Sequence, residues 1–540
     1  MKQARQIFWN ALLLTGASLL MRTVGVAFQV AISNRAGAEA MGLFSLMSGV
    51  YGFALTLATS GIHLGVTRVV TETVSQGQPG RVRAVVRKAV AYALTCGVLA
   101  SVLLASGAHF IGVHWLKDAR TVSSLRLFAL TLPLISLSSV FSGYFVAMRR
   151  SYKNAAVQVL EQGAKIFFTM YLLALLSSGG VEQILAALVM GGAASELLSF
   201  LVEWLLLELD KRRHLPKPAD QTAGNEGRKL IQITLPMALT AYIRSGLVTL
   251  QHILIPEGLR NSGSSHAASL AAYGSIHSMA MPIILYPAAL ISSFSGLLIP
   301  TMADCRVQNS KRRIRYMISR VWSLSMFFSI GVAGILICFS GEFGDLLYPG
   351  TEAGHYIRVL APLIPIMYID TATDAILKGI GEQVYSMNVN IADALISVVM
   401  VWLLIPRFGI TGYLITIYFS ECFNTVLSIT RLLCVTETPT KLLKWVYKPL
   451  LCIVGATCAA RVILNFVDLQ ASGVAALVLH CAGTLLLYLL FLILTGCVDR
   501  EDLQWFGTLF HREKEEEPEA EYPERAAGPS VLRRGRKSPD

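Results

Sequence analysis

Charge is what this sequence has least of. Asp, Glu, Lys and Arg make up 15% of its 540 residues, against 54% hydrophobic residues, and the mean hydropathy is +0.57. That composition excludes both an ordinary soluble domain and a disordered chain, and it defines an integral membrane protein. Phosphate-loop (GxxxxGK[ST]), GxSxG and HExxH motifs are all missing, so neither nucleotide hydrolysis nor a motif-bearing hydrolase is expected, and no cofactor is implied. The nine cysteines are scattered, mostly through apolar segments, with no CxxC pair and no Cys/His cluster at metal spacing. They read as small buried hydrophobes. The net charge of +12 does not point to nucleic acid, because the basic residues sit in short loops between apolar runs.

What is present is a series of apolar spans. Six lie near 8–31, 42–66, 89–113, 125–147, 155–178 and 182–207, and a polar linker, 208–229, follows. Six more lie near 230–255, 269–300, 317–340, 357–378, 388–405 and 410–433, and two stand apart at 447–466 and 472–495. Basic residues crowd alternate connections, among them Arg81, Arg83, Arg87 and Lys88, then Arg149, Arg150 and Lys153, then Lys311, Arg312, Arg313 and Arg315. The opposite connections hold few, chiefly Arg35, Lys117, Arg120, Arg260 and Arg407. By the positive-inside rule both termini are cytoplasmic and the spans number about fourteen. Lys2 and Arg5 precede an apolar run, but the arginine inside that run argues against a cleaved signal peptide. From residue 498 the chain is acidic, Pro-interrupted and finally basic, and it is expected to be a disordered cytoplasmic tail.

The first span echoes itself. Arg22 and Gln29 return 222 positions later as Arg244 and Gln251, and Asn10 meets Gln232 at the same offset. Seven residues are two helical turns, so each arginine shares a face with its glutamine. A cation at that depth costs roughly 2.5–3.5 kcal/mol on insertion scales, which makes both arginines candidates for an anionic substrate, with carbonyl capping as the alternative. At an offset of 233, residues 42–77 lie over 275–310, and Ser151-Tyr152 over Val384-Tyr385. Six spans per half is even, so the halves are parallel repeats, an arrangement that places a transport site between them near the midplane. The expected organisation is an N-lobe at 1–207, a cytoplasmic linker at 208–229, a C-lobe at 230–434 and a helix pair at 435–497.

Other polar groups fall inside the spans. Asp370, Asp374 and Lys378 form an i, i+4, i+8 stripe with no counterpart in the first half, where Leu137, Phe141 and Phe145 stand. The stripe reads either as ion-coupling carboxylates or as acids that neutralise Arg244 or Lys378. Glu161 and Lys165 read as an i, i+4 bridge, and Glu196 and Glu421 as deep cavity charges. Glu203 and Asp393 read as acids near inner helix ends that reach headgroup water. His63 and His277 read as satisfied core or cavity histidines.

Two stretches resemble a known family. Residues 34–72 carry a glycine-rich turn, Arg35-Ala36-Gly37, then Gly42-Leu43-Phe44 and a span ending in Arg68 and Glu72; residues 376–416 hold KGIGEQ and LIPRFGITG. Both resemble the polysaccharide-exporter branch of the multidrug, oligosaccharidyl-lipid and polysaccharide (MOP) superfamily, over roughly residues 5–495. Within that branch the chain is similar to sporulation proteins close to the lipid II flippases. The resemblance implies an all-α fold of two six-helix lobes around a cationic cavity, with two C-terminal helices forming a groove for a polyprenyl tail. It implies that Arg22 and Arg244 meet the diphosphate of a lipid-linked saccharide, flipped across a bacterial cytoplasmic membrane without covalent chemistry. The substrate expected is an undecaprenyl-diphosphate peptidoglycan precursor, for the spore cortex. The drive is expected from Na+, H+ or the membrane potential. The acidic stripe departs from the branch's pattern. Two other readings stay open, a cation-coupled drug exporter of the same superfamily and a scaffold that recruits cell-wall synthases.

Overall fold

The computed structural model describes residues 2–76, 79–176, 180–214, 226–308, 310–439, 443–466 and 473–497. The tail from 498 and the middle of the 208–229 linker lie outside these residues. Every described element is helical: α1 (Lys2–Thr59), α2 (Ile62–Ser75), α3 (Val82–Phe110), α4 (Thr121–Ala147), α5 (Ser151–Leu176) and α6 (Gly180–His214) in the first half. The second half contains α7 (Glu226–Asn261), α8 (His266–Gly274), α9 (Met281–Leu285), α10 (Ala288–Val307), α11 (Lys311–Cys338) and α12 (Ser340–Leu347). It continues with α13 (Ala353–Leu360), α14 (Ile364–Gly379), α15 (Gln383–Phe408), α16 (Ile410–Thr436), α17 (Lys448–Phe466) and α18 (Val474–Leu494). The all-α expectation holds, and the helices are those of a multi-pass membrane protein.

Twelve segments among the described residues are long and apolar enough to cross a bilayer, against the fourteen expected. One of the twelve, Leu20–Ser75, runs 56 residues, far more than the about 20 that a crossing needs. It contains the break at Gly37 (φ 80, ψ 166), a backbone conformation open to glycine because it has no Cβ. The eighth expected span is interrupted as well. A π-helical turn, Ser275–Ala280, joins α8 to α9, and the chain breaks again between α9 and α10 at Tyr286-Pro287.

In the first half α3 lies along α4, and α5 along α6; in the second, α15 lies along both α16 and α7, and α14 along α10 and α11. The α17–α18 hairpin rests on α11, where the Tyr488 hydroxyl donates to the Phe327 carbonyl at 2.8 Å. The halves meet mainly through α1, α2, α7 and α8. At their centre the hydroxyls of Ser45 and Ser278 hydrogen-bond, two residues 233 apart. Residues made equivalent by the repeat therefore touch, as a local two-fold axis between the repeats requires. Beside them α1 and α8 approach backbone to backbone. A Cβ on Gly42 would lie 1.9 Å from the Leu270 carbonyl oxygen, and one on Gly274 would lie 2.3 Å from that of Ala38.

Candidate functional site

The two halves interlock crosswise. The first helix of each repeat lies against the second helix of the other, and polar side chains mark the seam. On one side, Arg22 Nη2 donates to the Leu285 carbonyl at 2.8 Å, the Thr23 and Tyr286 hydroxyls pair at 2.7 Å, and Gln29 donates to the Ser278 carbonyl at 3.3 Å. On the other, Ser245 pairs with Thr56 at 3.0 Å, Thr249 donates to the Gly49 carbonyl at 3.0 Å, and Tyr242 donates to the Leu57 carbonyl at 3.3 Å. Thr23 and Ser245 stand at the same 222-residue offset as the arginines.

Arg22 is exposed and uses one guanidinium N–H, of five, on a carbonyl at the α9 end, where Pro287 interrupts the ladder. The capping role expected as an alternative is thus realised, with donors to spare. Arg244 is also exposed and has no hydrogen bond or ion pair among the described residues, although it lies within electrostatic reach of Asp393 on α15. Gln251 is partly buried in α7 and has no hydrogen bond among the described residues.

The acids divide into two groups, one per half. Glu161 on α5 lies close to Glu196 on α6, with Lys165 and Glu203 within electrostatic reach. This corrects the expected Glu161–Lys165 bridge, since the two form no contact ion pair. In the second half Glu421 on α16 faces Asp370 and Asp393, and Ser420 donates to Asp393 at 2.7 Å. Glu161 and Asp393 occupy corresponding helices of the repeats, as do Glu196 and Glu421.

Of two further expectations, one is met in part and one needs correction. In the acidic stripe Asp374 pairs with Lys378 at 2.5 Å, as the neutralising reading expected, and accepts from Ser386, while Asp370 keeps an unpartnered buried oxygen. Glu203 is 8% exposed with an unpartnered carboxyl oxygen, so it does not reach headgroup water. His277 lies against His252 with the rings tilted at 59° and their centroids 4.6 Å apart, and His252 Nδ1 shares a hydrogen bond with the Tyr273 hydroxyl at 2.8 Å. The His277 Nδ1 is unpartnered.

Sequence reasoning missed a charged latch between the halves. At the end that carries the α7–α8 loop, Arg120 Nη2 donates to Asp118 at 2.6 Å and to Glu39 at 2.9 Å. Across the seam Asp118 also pairs with His266 Nε2 at 3.2 Å, and Lys117 pairs with Glu257. Burial pushes the Asp118 carboxyl up, but hydrogen bonds from Arg120 and His266 outweigh it and hold the group below its ordinary 3.8. The same carboxylates hold the Arg120 guanidinium above its usual range.

Two repeat-related lobes of apolar, membrane-length helices, interlocked around polar side chains, are the architecture of a membrane transporter. Residues 7–306 match the polysaccharide biosynthesis protein family, and residues 262–403 match MatE. The first match spans more than half of the chain, so this chain belongs to the polysaccharide biosynthesis protein family. It is 22% identical to stage V sporulation protein B of Bacillus subtilis (strain 168) over 93% of this chain and 98% of that protein. It is also 22% identical to the lipid II flippase MurJ of the same organism, over 72% of this chain and 75% of that one. Among solved structures, the lipid II flippase MurJ in an inward closed conformation aligns with a TM-score of 0.64 at 11% identity, covering 89% of this chain and 98% of that chain. An inward-facing MATE transporter of the MOP superfamily aligns with a TM-score of 0.60 at 14% identity, covering 79% of this chain and 99% of that chain. The fold is that of the MOP transporters.

Proposed function

We propose that this chain is a flippase for a polyprenyl-diphosphate-linked saccharide of the peptidoglycan-precursor type, working by alternating access in a bacterial cytoplasmic membrane with both termini inside. The observation that carries the reading is the pair of intramembrane arginines at equivalent places in the repeats. A diphosphate is a multiply charged anion with many acceptor oxygens, and guanidinium donors not consumed by protein partners are what it needs. Gln29 and Gln251, two turns along the same helix faces as the arginines, would meet sugar hydroxyls or water. An apolar cleft of ≈ 470 Å³ lined by Leu298 of α10, Phe328 of α11, Ala372 of α14 and Leu489 of α18 would suit the tail. The likeness to a lipid II flippase and to a sporulation protein supports the substrate class and a role in spore cortex synthesis. The lobes at 1–207 and 230–434 would rock about the Ser45–Ser278 contact, while the 435–497 pair holds the tail.

The acids are the proposed coupling sites. Glu196, Asp370 and Glu421 would take up H+ or Na+, whereas Asp374 is engaged by Lys378 and serves structure. The same acid groups favour a second reading, a cation-coupled exporter of organic cations. Binding distinguishes the two. Purified protein should retain undecaprenyl diphosphate, with retention about 10–100-fold weaker in Arg244→Ala, the value of one or two lost charged hydrogen bonds. Retention of an organic cation that is insensitive to Arg244→Ala, with no diphosphate bound, would favour the exporter.

A further inference from the structure

A second cleft lies on the opposite flank of the α17–α18 hairpin from the tail groove. Its ≈ 420 Å³ apolar trough runs between α11 and α17, past Ile330, Gly334 and Ile453. The floor is tightly closed, since a Cβ on Gly334 would lie 2.1 Å from Ile453 Cγ1. At the Cys338 end of α11 the trough opens into a polar cavity of ≈ 340 Å³ lined by Glu342, Asp345 and Glu352, and the two spaces share Arg358 and Arg461. Arg461 is held in place by Cys338, whose carbonyl accepts from Nη2 at 2.8 Å and whose Sγ accepts from Nε at 3.3 Å, and its remaining guanidinium donors are available. Arg358 is exposed and has no hydrogen bond or ion pair among the described residues. Neither arginine pairs with any of the three acids, although all five side chains line one cavity.

Glu352 accepts from the Tyr356 hydroxyl at 3.0 Å, but charges of both signs that form no ion pair with one another, at the mouth of an apolar trough, are complementary to a dipolar lipid. We infer that this cleft binds one phosphatidylethanolamine molecule, acyl chain in the trough, phosphate on Arg358 and Arg461, and ammonium against the carboxylates. The ammonium has three donors, as many as there are acids to receive them. A purely anionic headgroup fits worse, because two arginines face three carboxylates. A quaternary ammonium also fits worse, since it has no N–H to give.

The test is native mass spectrometry of the full chain, titrated separately with phosphatidylethanolamine, phosphatidylglycerol and phosphatidylcholine. Expected are a preference of roughly tenfold for phosphatidylethanolamine over either rival and a loss of roughly tenfold in its retention in Arg358→Ala. In the double variant Glu342→Gln, Glu352→Gln the preference over phosphatidylglycerol should vanish while binding of phosphatidylglycerol rises. Arg358→Gln replaces Arg358→Ala if the latter fails to fold by thermal melting. Equal retention of the three lipids by the native protein, or a preference unchanged in these variants, would overturn the inference. So would undecaprenyl diphosphate bound in a manner that Arg358→Ala abolishes and Arg244→Ala leaves intact.

Discussion

Gly42→Ala is a one-carbon change expected to move the two halves of the protein. The new Cβ would meet the Leu270 carbonyl oxygen at 1.9 Å, whereas ordinary contact begins at 3.4 Å. Both partners are backbone atoms in the middle of helices, so no side chain can swing aside. Helices α1 and α8 must separate by about 1–1.5 Å, and overpacking of this kind costs about 1–3 kcal/mol. The cost falls on the conformation in which the halves touch at the end carrying the α7–α8 loop. A penalty of that size shifts a two-state equilibrium about 5–150-fold toward the separated conformation. The assay is double electron–electron resonance between spin labels at Ala119 and Ser264, exposed positions on the two halves at that end, with the nine native cysteines replaced. The distance distribution should gain a longer component in Gly42→Ala and in Gly274→Ala. An unchanged distribution together with an unchanged melting temperature would refute the close approach.

Three more outcomes follow from the contacts. Asp210 on α6 is fully buried and accepts from Tyr144 at 2.8 Å and Lys153 at 2.5 Å, and also from Arg150. Asp210→Ala should cost about 2–4 kcal/mol in thermal unfolding, somewhat less than a fully enclosed pair because both cations stay partly exposed. Asp118→Asn should destabilise the latch in a pH-dependent way. Because the folded carboxyl titrates below 3.8, its stabilisation is present above that pH and is lost as pH falls through the folded value. The melting-temperature gap between native protein and Asp118→Asn should therefore be present above about pH 5 and close below about pH 4. Thr23→Val and Ser245→Val break equivalent seam bonds, so each should lower the translocation rate while leaving expression and monodispersity in detergent unchanged.

Much of this architecture was legible because a polar residue in an apolar span stands out. Arg22, Arg244 and their glutamines, and the acids of the later spans, are visible in that way, and the 233-residue offset anticipates the Ser45–Ser278 contact. What escaped has physical reasons. Gly42 and Gly274 carry no signature in an apolar helix, since glycine there is as consistent with loose packing as with a close approach. Asp118 and Arg120 lie in a short connection, where charges count toward topology and their partners on other helices stay hidden. Glu203 was misjudged because α6 extends past the apolar window, to His214, so an acid near the edge of the window lies within the bundle. Glu161 and Lys165 have helix-pair spacing, but they interact across a gap rather than as a contact ion pair, with Glu196 of the neighbouring helix also close by.

If the two repeat-related arginines carry a lipid-linked diphosphate across the membrane, translocation of a labelled polyprenyl-diphosphate saccharide in proteoliposomes should depend on them, in a comparison of native protein with Arg22→Ala, Arg244→Ala and the double variant at equal insertion. The native protein should move the saccharide, each single variant should do so at least about tenfold more slowly, and the double variant not at all. Native rates in the double variant, or no movement by folded native protein under an imposed membrane potential, would contradict that role.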